Sequence, residues 1–377
     1  MQDDDWFDPA VFPSNPYLLL TPGPLSTTKK VKAAMLRDWC TWDDDYKCLV
    51  QGIREELVSL ATKKIDDYSC VLMQGSGTFC IESVVGSSIP RNGKLLVLVN
   101  GAYGMRIVNM AKILKIDHCV LDSGELMPPN NDALLKHLQE DDTITHVALV
   151  HSETTTGILN PLKETCNIIK EHDKTLILDA MSSFGGVQFD AAEHQVDFLV
   201  SSANKCMQGC PGFGFIIATR DALDACQGSK RSLSLDLHDQ WTTMEQDNGK
   251  WRFTSPTHVV HAFKQALKEL EAEGGIPARH RRYATNQAVL DKGMRGLGFA
   301  PLELGLHQGP IITTFHSPDS SDYDFSIFYR KLKDSGFVIY PGKVTTRDTF
   351  RIGSIGAITP SDMRDLVSAV EQSIFWE

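Results

Sequence analysis

The chain has 377 residues, 42% of them hydrophobic and 23% charged, with a formal net charge of −11. That length exceeds what one small core supports and predicts a large domain with a smaller one beside it. The acidic balance excludes a general nucleic-acid surface, which needs clustered Lys and Arg, and no apolar run approaches the roughly 20 residues of a membrane span.

Taken in order, the chain starts with Met1-Gln2-Asp3-Asp4-Asp5, which is too acidic for a signal or transit peptide. Residues 1–16 read as an extension, and a cytoplasmic location is expected. Leu18, Leu19 and Leu20 run into Thr21-Pro22-Gly23-Pro24, a rigid turn that either ends a segment or lines a pocket. Lys29 to Arg37 has a helical pattern. Trp42-Asp43-Asp44-Asp45-Tyr46 reads as a solvated turn or a helix N-terminus rather than a metal site. Leu49 to Thr62 is an amphipathic helix.

Cys70 to Met73 reads as a buried strand, followed by Gln74-Gly75-Ser76-Gly77-Thr78 and a helix from near Phe79. Strand, small-residue loop and helix N-terminus together can cradle a phosphate, because the backbone approaches closely and hydroxyls and N–H groups donate. No Gly-Lys-Ser/Thr follows, so this is not a Walker loop, and the third glycine of a dinucleotide fingerprint is missing. Strands then alternate with helices. Leu95 to Val99 ends in Asn100-Gly101-Ala102-Tyr103-Gly104, and Cys119 to Leu121 follows a helix. Val147 to Val150 ends in His151-Ser152-Glu153-Thr154-Thr155-Thr156-Gly157, and Leu176 to Leu178 ends in Asp179. The alternation predicts a mainly parallel, doubly wound sheet whose polar strand ends share one edge. Nine cysteines, scattered from Cys40 to Cys226, read as free thiols of a reducing compartment.

Val196 to Ser202 is another strand and ends in Ala203-Asn204-Lys205. Glycine-rich residues and the strand Phe215 to Ala218 follow. A lysine past the carboxyl end of a core strand sits where open α/β sheets bind ligands, and partial burial would make it a usable amine nucleophile. Residues 228–257 read as polar and loop-like. Long helices over His258 to Glu273 and Arg279 to Leu297 lead to strands at Ile311 to Phe315, Phe337 to Tyr340 and Phe350 to Gly353. A helix over Phe325 to Lys333 lies among them, and a last helix is capped by Thr359, Pro360 and Asp362. The expected division is an extension over 1–16, a large domain over 17–274 and a small α+β domain over 275–377.

A phosphate cradle, an aromatic residue, an aspartate and a later lysine on one sheet edge are the needs of pyridoxal 5′-phosphate. The lysine bonds to its aldehyde, the aspartate pairs with its ring nitrogen, and the aromatic stacks on its ring. The motifs that carry a family resemblance are Leu20-Thr21-Pro22-Gly23-Pro24, Gly75-Ser76-Gly77-Thr78, Asn100-Gly101-Ala102-Tyr103-Gly104 and Leu178-Asp179-Ala180-Met181. Ser201-Ser202-Ala203-Asn204-Lys205, Phe253-Thr254-Ser255-Pro256 and Phe350-Arg351-Ile352-Gly353 complete them. From about Leu18 to the end, the sequence resembles the class V, fold type I aminotransferases.

The resemblance implies an aspartate aminotransferase-like α/β fold with a mixed seven-stranded sheet, and homodimers with shared active sites. It implies Lys205 and Asp179 as catalytic residues. It also implies Ser76, Gly77 and Thr78 on the cofactor phosphate, Tyr103 stacking on the ring, Thr154 on the ring oxygen, Thr254 reaching the phosphate from a neighbouring subunit, and Arg351 as the substrate's anion receptor. Trp39, Trp42 and the aspartates beside them, with the Thr254 region, favour 2-aminoethylphosphonate as amino donor and pyruvate as acceptor, in a ping-pong cycle. Alanine–glyoxylate, serine–glyoxylate and serine–pyruvate transamination remain the alternative, since those enzymes share most of the cofactor site. A desulfurase-type lyase wants a late catalytic cysteine, and none follows Cys226.

Overall fold

The computed structural model describes residues 8–342, 344 and 347–376, so the acidic start of the expected extension, Met1 to Asp5, lies outside the described residues. Its centre is a seven-stranded sheet made of β1 (Tyr68–Gln74), β2 (Lys94–Val99), β3 (Asp117–Asp122), β4 (Ile144–Val150), β5 (Thr175–Asp179), β6 (Phe198–Ser202) and β7 (Phe213–Thr219). The order is β1-β7-β6-β5-β4-β2-β3. β7 runs antiparallel to both β1 and β6, and the remaining pairs are parallel. Central strands such as β6, buried at all five positions, read as unbroken apolar runs because helices cover both faces.

Helices fill the crossovers. In chain order they are α1 (Lys29–Ala33), α2 (Asp44–Ala61), α3 (Gly77–Ser88), α4 (Ala102–Ile113), α5 (Asn131–Glu140), α6 (Lys163–Glu171), α7 (Arg220–Ala225), α8 (Leu237–Gln246), α9 (Thr257–Glu273), α10 (Gly275–Gly296), α11 (Phe325–Asp334) and α12 (Pro360–Ser373). Asp44 and Asp45 occupy the first turn of α2, where the helix dipole favours carboxylates, so the acidic run is a helix start as expected. α3 and α4 both begin at the carboxyl edge of the parallel strands, immediately after β1 and β2.

Two expectations are corrected. Residues 228–257 are not all loop, because α8 lies within them. Its polar sequence hides the face Leu237, Gln240, Trp241 and Met244, buried at helical spacing, and Asp236 caps it by accepting from the Asp239 N–H at 3.1 Å. The strand expected over Phe337 to Tyr340 is split at Ile339. Phe337 and Val338 pair in parallel with Leu18 and Leu19, whereas Tyr340 and Pro341 pair with Arg351 and Phe350. The segment thus serves two different edges.

Beyond α10 lies a three-stranded antiparallel sheet of β8 (Ile312–His316), β9 (Tyr340–Pro341) and β10 (Thr349–Gly353), in the order β8-β10-β9. Phe315, Phe328, Phe350, Leu290 and Leu366 form its core, and Leu20 from the start of the chain is buried among them. The Gly353 N–H donates to Leu20 O at 2.9 Å. α12 opens with the reciprocal cap anticipated for Thr359 and Asp362. Thr359→Ala is expected to cost about 1 kcal/mol of stability, visible as a lower urea midpoint at unchanged slope. Among the described residues no helix is long and apolar enough to cross a membrane.

Candidate active site

Ten residues separate β6 from β7 and fold back on themselves. The Gln208 N–H donates to Lys205 O and the Gly209 N–H to Ala203 O, each at 2.8 Å. This tight turn projects Lys205 toward the start of the chain. Its Nζ donates to Pro22 O at 2.6 Å, and a Cβ on Gly23 would lie 2.6 Å from its Cδ. The Thr21–Pro24 turn therefore packs directly against the Lys205 side chain, without itself lining the cavity. Burial lowers the Lys205 pKa to about 8. Gly23 also has φ +115°, a left-handed conformation that suits glycine. Gly23→Ala is expected to displace the amine and lower turnover about a hundredfold, with Lys205 still present and the fold intact by circular dichroism.

A cavity of about 200 Å³ brings together Ser76, Gly77, Thr78, Tyr103, Asp179 and Lys205. Ser76 is the N-cap of α3 and Gly77 its first residue. A Cβ on Gly77 would lie 1.9 Å from Met181 Sδ, so a larger residue at the α3 start would have to displace the Met181 side chain. Asp179 ends β5 and is 7% exposed. Its Oδ1 accepts from the Met181 N–H at 2.9 Å. Burial pushes its pKa up to about 6, Glu153 adds to the rise, and Arg106 and Lys205 oppose it.

The remaining expected residues fall outside that lining. Thr154 is fully buried, with an Oγ1 that has no partner among the described residues. Arg351, on β10 and 3% exposed, donates from Nη1 to Thr154 O at 2.8 Å and from Nε to Pro341 O at 2.9 Å. Its guanidinium also sits over the Tyr340 ring. Thr254 is exposed beside Phe253 and away from the cavity of its own chain. Lys230 is bound to Asp236 at 2.9 Å and Asp239 at 3.2 Å, as befits a solvated basic loop.

Three residues of the site escaped the sequence. Arg106, one turn after Tyr103 on α4, lines the cavity, donates to Thr78 Oγ1 at 3.2 Å and lies over the Tyr103 ring. Ser152 lines the same cavity with a buried Oγ that has no partner among the described residues. Glu153 is fully buried, and burial raises its pKa. It accepts from Thr155 Oγ1 at 2.6 Å, from the Thr155 N–H at 3.2 Å and from the Tyr103 N–H at 3.1 Å, at the N-terminus of α4. The one signal available was a carboxylate inside a run of small polar residues, where burial demands donors.

Comparison with known proteins places this geometry. The family model for class V aminotransferases matches residues 65–330. A 2-aminoethylphosphonate–pyruvate transaminase of Bacillus cereus (strain ATCC 10987 / NRS 248) is 59% identical over 360 residues, covering 96% of this chain and 98% of the relative. Its namesake in Vibrio vulnificus (strain CMCP6) is 57% identical over 364 residues, covering 96% and 99%. Among solved structures, an alanine–glyoxylate aminotransferase from Nostoc sp. has a TM-score of 0.87 at 22% identity, covering 99% of each chain. A pyridoxamine–pyruvate aminotransferase from Mesorhizobium loti has a TM-score of 0.85 at 21% identity, covering 96% of this chain and 93% of the other. The fold matches along its length, and the sequence matches most of the stretch that carries Asp179 and Lys205; the chain belongs to the class V aminotransferases.

Proposed function

We propose that the protein transfers the amino group of 2-aminoethylphosphonate to pyruvate, giving phosphonoacetaldehyde and L-alanine in two half-reactions. Its family uses pyridoxal 5′-phosphate, and the cavity suits that group. Among the described residues Ser152 Oγ has no partner and Arg106 no ion-paired carboxylate, while a carboxylate and an amine stand in one cavity. The cofactor supplies an aldehyde carbon for amine exchange and a ring that accepts the electron pair left when the Cα proton departs. In this reading Ser76, Gly77 and Thr78 hold its phosphate, Asp179 keeps a proton on its ring nitrogen, and Tyr103 packs against its ring. Thr154 turns its orphaned hydroxyl to the ring oxygen.

The observation that carries the chemistry is Lys205, an amine with its pKa lowered to about 8, in the same cavity as Asp179. A neutral Nζ can attack the aldehyde and afterwards take the proton from the substrate Cα. Protonation removes its lone pair, so the rate of covalent capture by the cofactor-free protein should rise about tenfold per pH unit up to about pH 8 and then level. Stopped-flow absorbance checks this; a rise that continues to pH 10 would mean that the amine is not desolvated.

The substrate choice rests on the two relatives at 59% and 57% identity. Arg351 suits it, because a guanidinium pairs equally with phosphonate and carboxylate oxygens, and one site must accept both substrates in turn. Burial lowers its pKa, yet a guanidinium keeps its charge. Thr254, exposed beside a half-exposed Phe253, is what a residue given to a second copy's site looks like in one chain, and supports a homodimer. Six buried, unpaired cysteines support a reducing, cytoplasmic setting.

The test is the absorbance of the cofactor-loaded protein. Adding 2-aminoethylphosphonate without an acceptor should convert the aldehyde form's band to that of the aminated cofactor, and pyruvate should restore it. A response to alanine or serine alone would keep the chemistry and reject this donor.

A further inference from the structure

Arg106 is a charged group of the cavity for which neither the chain's own contacts nor the roles above account. It projects from α4, one turn beyond Tyr103, and its guanidinium lies 4.8 Å from the Tyr103 ring centre. That contact holds the guanidinium over the ring. Nη1 donates to Thr78 Oγ1 at 3.2 Å, which sets the fork beside the N-terminus of α3. Among the described residues no carboxylate forms an ion pair with it, whereas Arg54, Arg279 and Arg282 each have one; the buried Arg351, which also has none, donates instead to the Pro341 and Thr154 carbonyls. Four of the five N–H donors of this guanidinium are thus left for something other than protein. Asp179 acts on this cation only at a distance within the same cavity, and a guanidinium in a cavity wall with no ion pair among the described residues suits an anionic ligand.

We propose that Arg106 is the positively charged ligand of the cofactor's phosphate, completing the neutral cradle of Ser76, Gly77 and Thr78; this rests on the pyridoxal 5′-phosphate reading above. The cradle by itself offers hydroxyls, backbone N–H groups and half a unit of helix charge, but no full positive charge. A phosphate monoester carries close to two negative charges at neutral pH. A guanidinium fork offers paired donors that match its oxygens. The stacking on Tyr103 has a second effect. The arginine and the aromatic that faces the cofactor ring hold each other, so one helical turn positions both ends of the cofactor.

The experiment compares two probes that differ only in the phosphate. Dissociation constants for pyridoxal 5′-phosphate and for pyridoxal are measured by absorbance titration of cofactor-free wild type, Arg106→Gln and Arg106→Lys. The glutamine variant should bind pyridoxal 5′-phosphate about ten- to a hundredfold more weakly, the size of a lost charge-assisted hydrogen bond, and pyridoxal within about twofold of wild type. Lysine keeps the charge without the fork and should recover part of the loss. Equal weakening for both probes would show that Arg106 acts through packing and would overturn the proposal, as would an unchanged constant for the phosphorylated probe. If wild type itself fails to bind pyridoxal 5′-phosphate, the cofactor reading falls and takes this inference with it. Binding by wild type with no effect of the variants removes Arg106 alone.

Discussion

Lys205→Ala is expected to lower turnover by more than about 10⁴-fold, because one side chain serves as both nucleophile and proton carrier. The loss should come without unfolding. Among the described residues the Lys205 amine makes one hydrogen bond, to Pro22 O, and its burial already disfavours the charged form. The variant should still bind pyridoxal 5′-phosphate non-covalently through the α3 start, and should lose the band that marks covalent attachment. Lys205→Arg separates charge from chemistry. It keeps a cation at that position but has no neutral form at any useful pH, so it should be as inactive as alanine. Single-turnover absorbance with 2-aminoethylphosphonate measures both. Residual activity within tenfold of wild type in either variant would move the reaction to another group.

Asp179→Asn should have opposite effects on activity and on stability. In the folded protein burial pushes the Asp179 carboxyl up to about 6 from the ordinary 3.8. The folded chain therefore binds this proton more tightly than the unfolded chain, and the ionised carboxylate opposes folding at neutral pH. That cost is absent below about 3.8, grows as pH rises towards about 6 and is complete above it. A rise of that size corresponds to about 3 kcal/mol as an upper figure. An asparagine of the same shape can still accept from the Met181 N–H, so the cofactor-free variant should melt several degrees above wild type at pH 8. Turnover should fall about 10²- to 10³-fold, the usual size of a lost electrostatic contact to the reacting group. Calorimetry of the cofactor-free proteins at pH 4 and pH 8 checks the sign, since the difference should nearly vanish at the lower pH. A variant less stable at pH 8 would mean that the carboxylate is already compensated inside the protein.

What could be seen in the sequence follows from how sheets bury their strands. The strands Cys70 to Met73, Leu95 to Val99 and Val196 to Ser202 announced themselves because helices cover both faces and leave no polar alternation. Their polar ends then pointed to one edge, and Asp179 and Lys205 were visible as ionisable groups following apolar runs. α8 was not visible, because its sequence is mostly polar and its buried face includes Gln240. Arg106 looked like any helical arginine, since the absence of a partner carboxylate is a fact of three dimensions. Arg351 was singled out only by the family resemblance; its contact with Thr154 O, between residues 197 positions apart, is likewise a fact of three dimensions. Thr254 lies outside the cavity of its own chain, so a single chain can show only its exposure.

The pairing of Leu18 and Leu19 with Phe337 and Val338 also bears on when the protein acquires its site during synthesis. Leu20 is buried by residues of β8, β10 and α12, and the neighbouring Pro22 and Gly23 pack against the Lys205 side chain. Leu18 to Leu20 must therefore wait for Phe337 and Val338, made much later, before they can settle. A nascent chain that has completed the seven-stranded sheet already carries Asp179 and Lys205, but the lysine stands open on the side that Pro22 covers. Long-range closure of this kind is slow. A chain truncated before residue 337 should thus leave Lys205 without its Pro22 contact and open to solvent on that side.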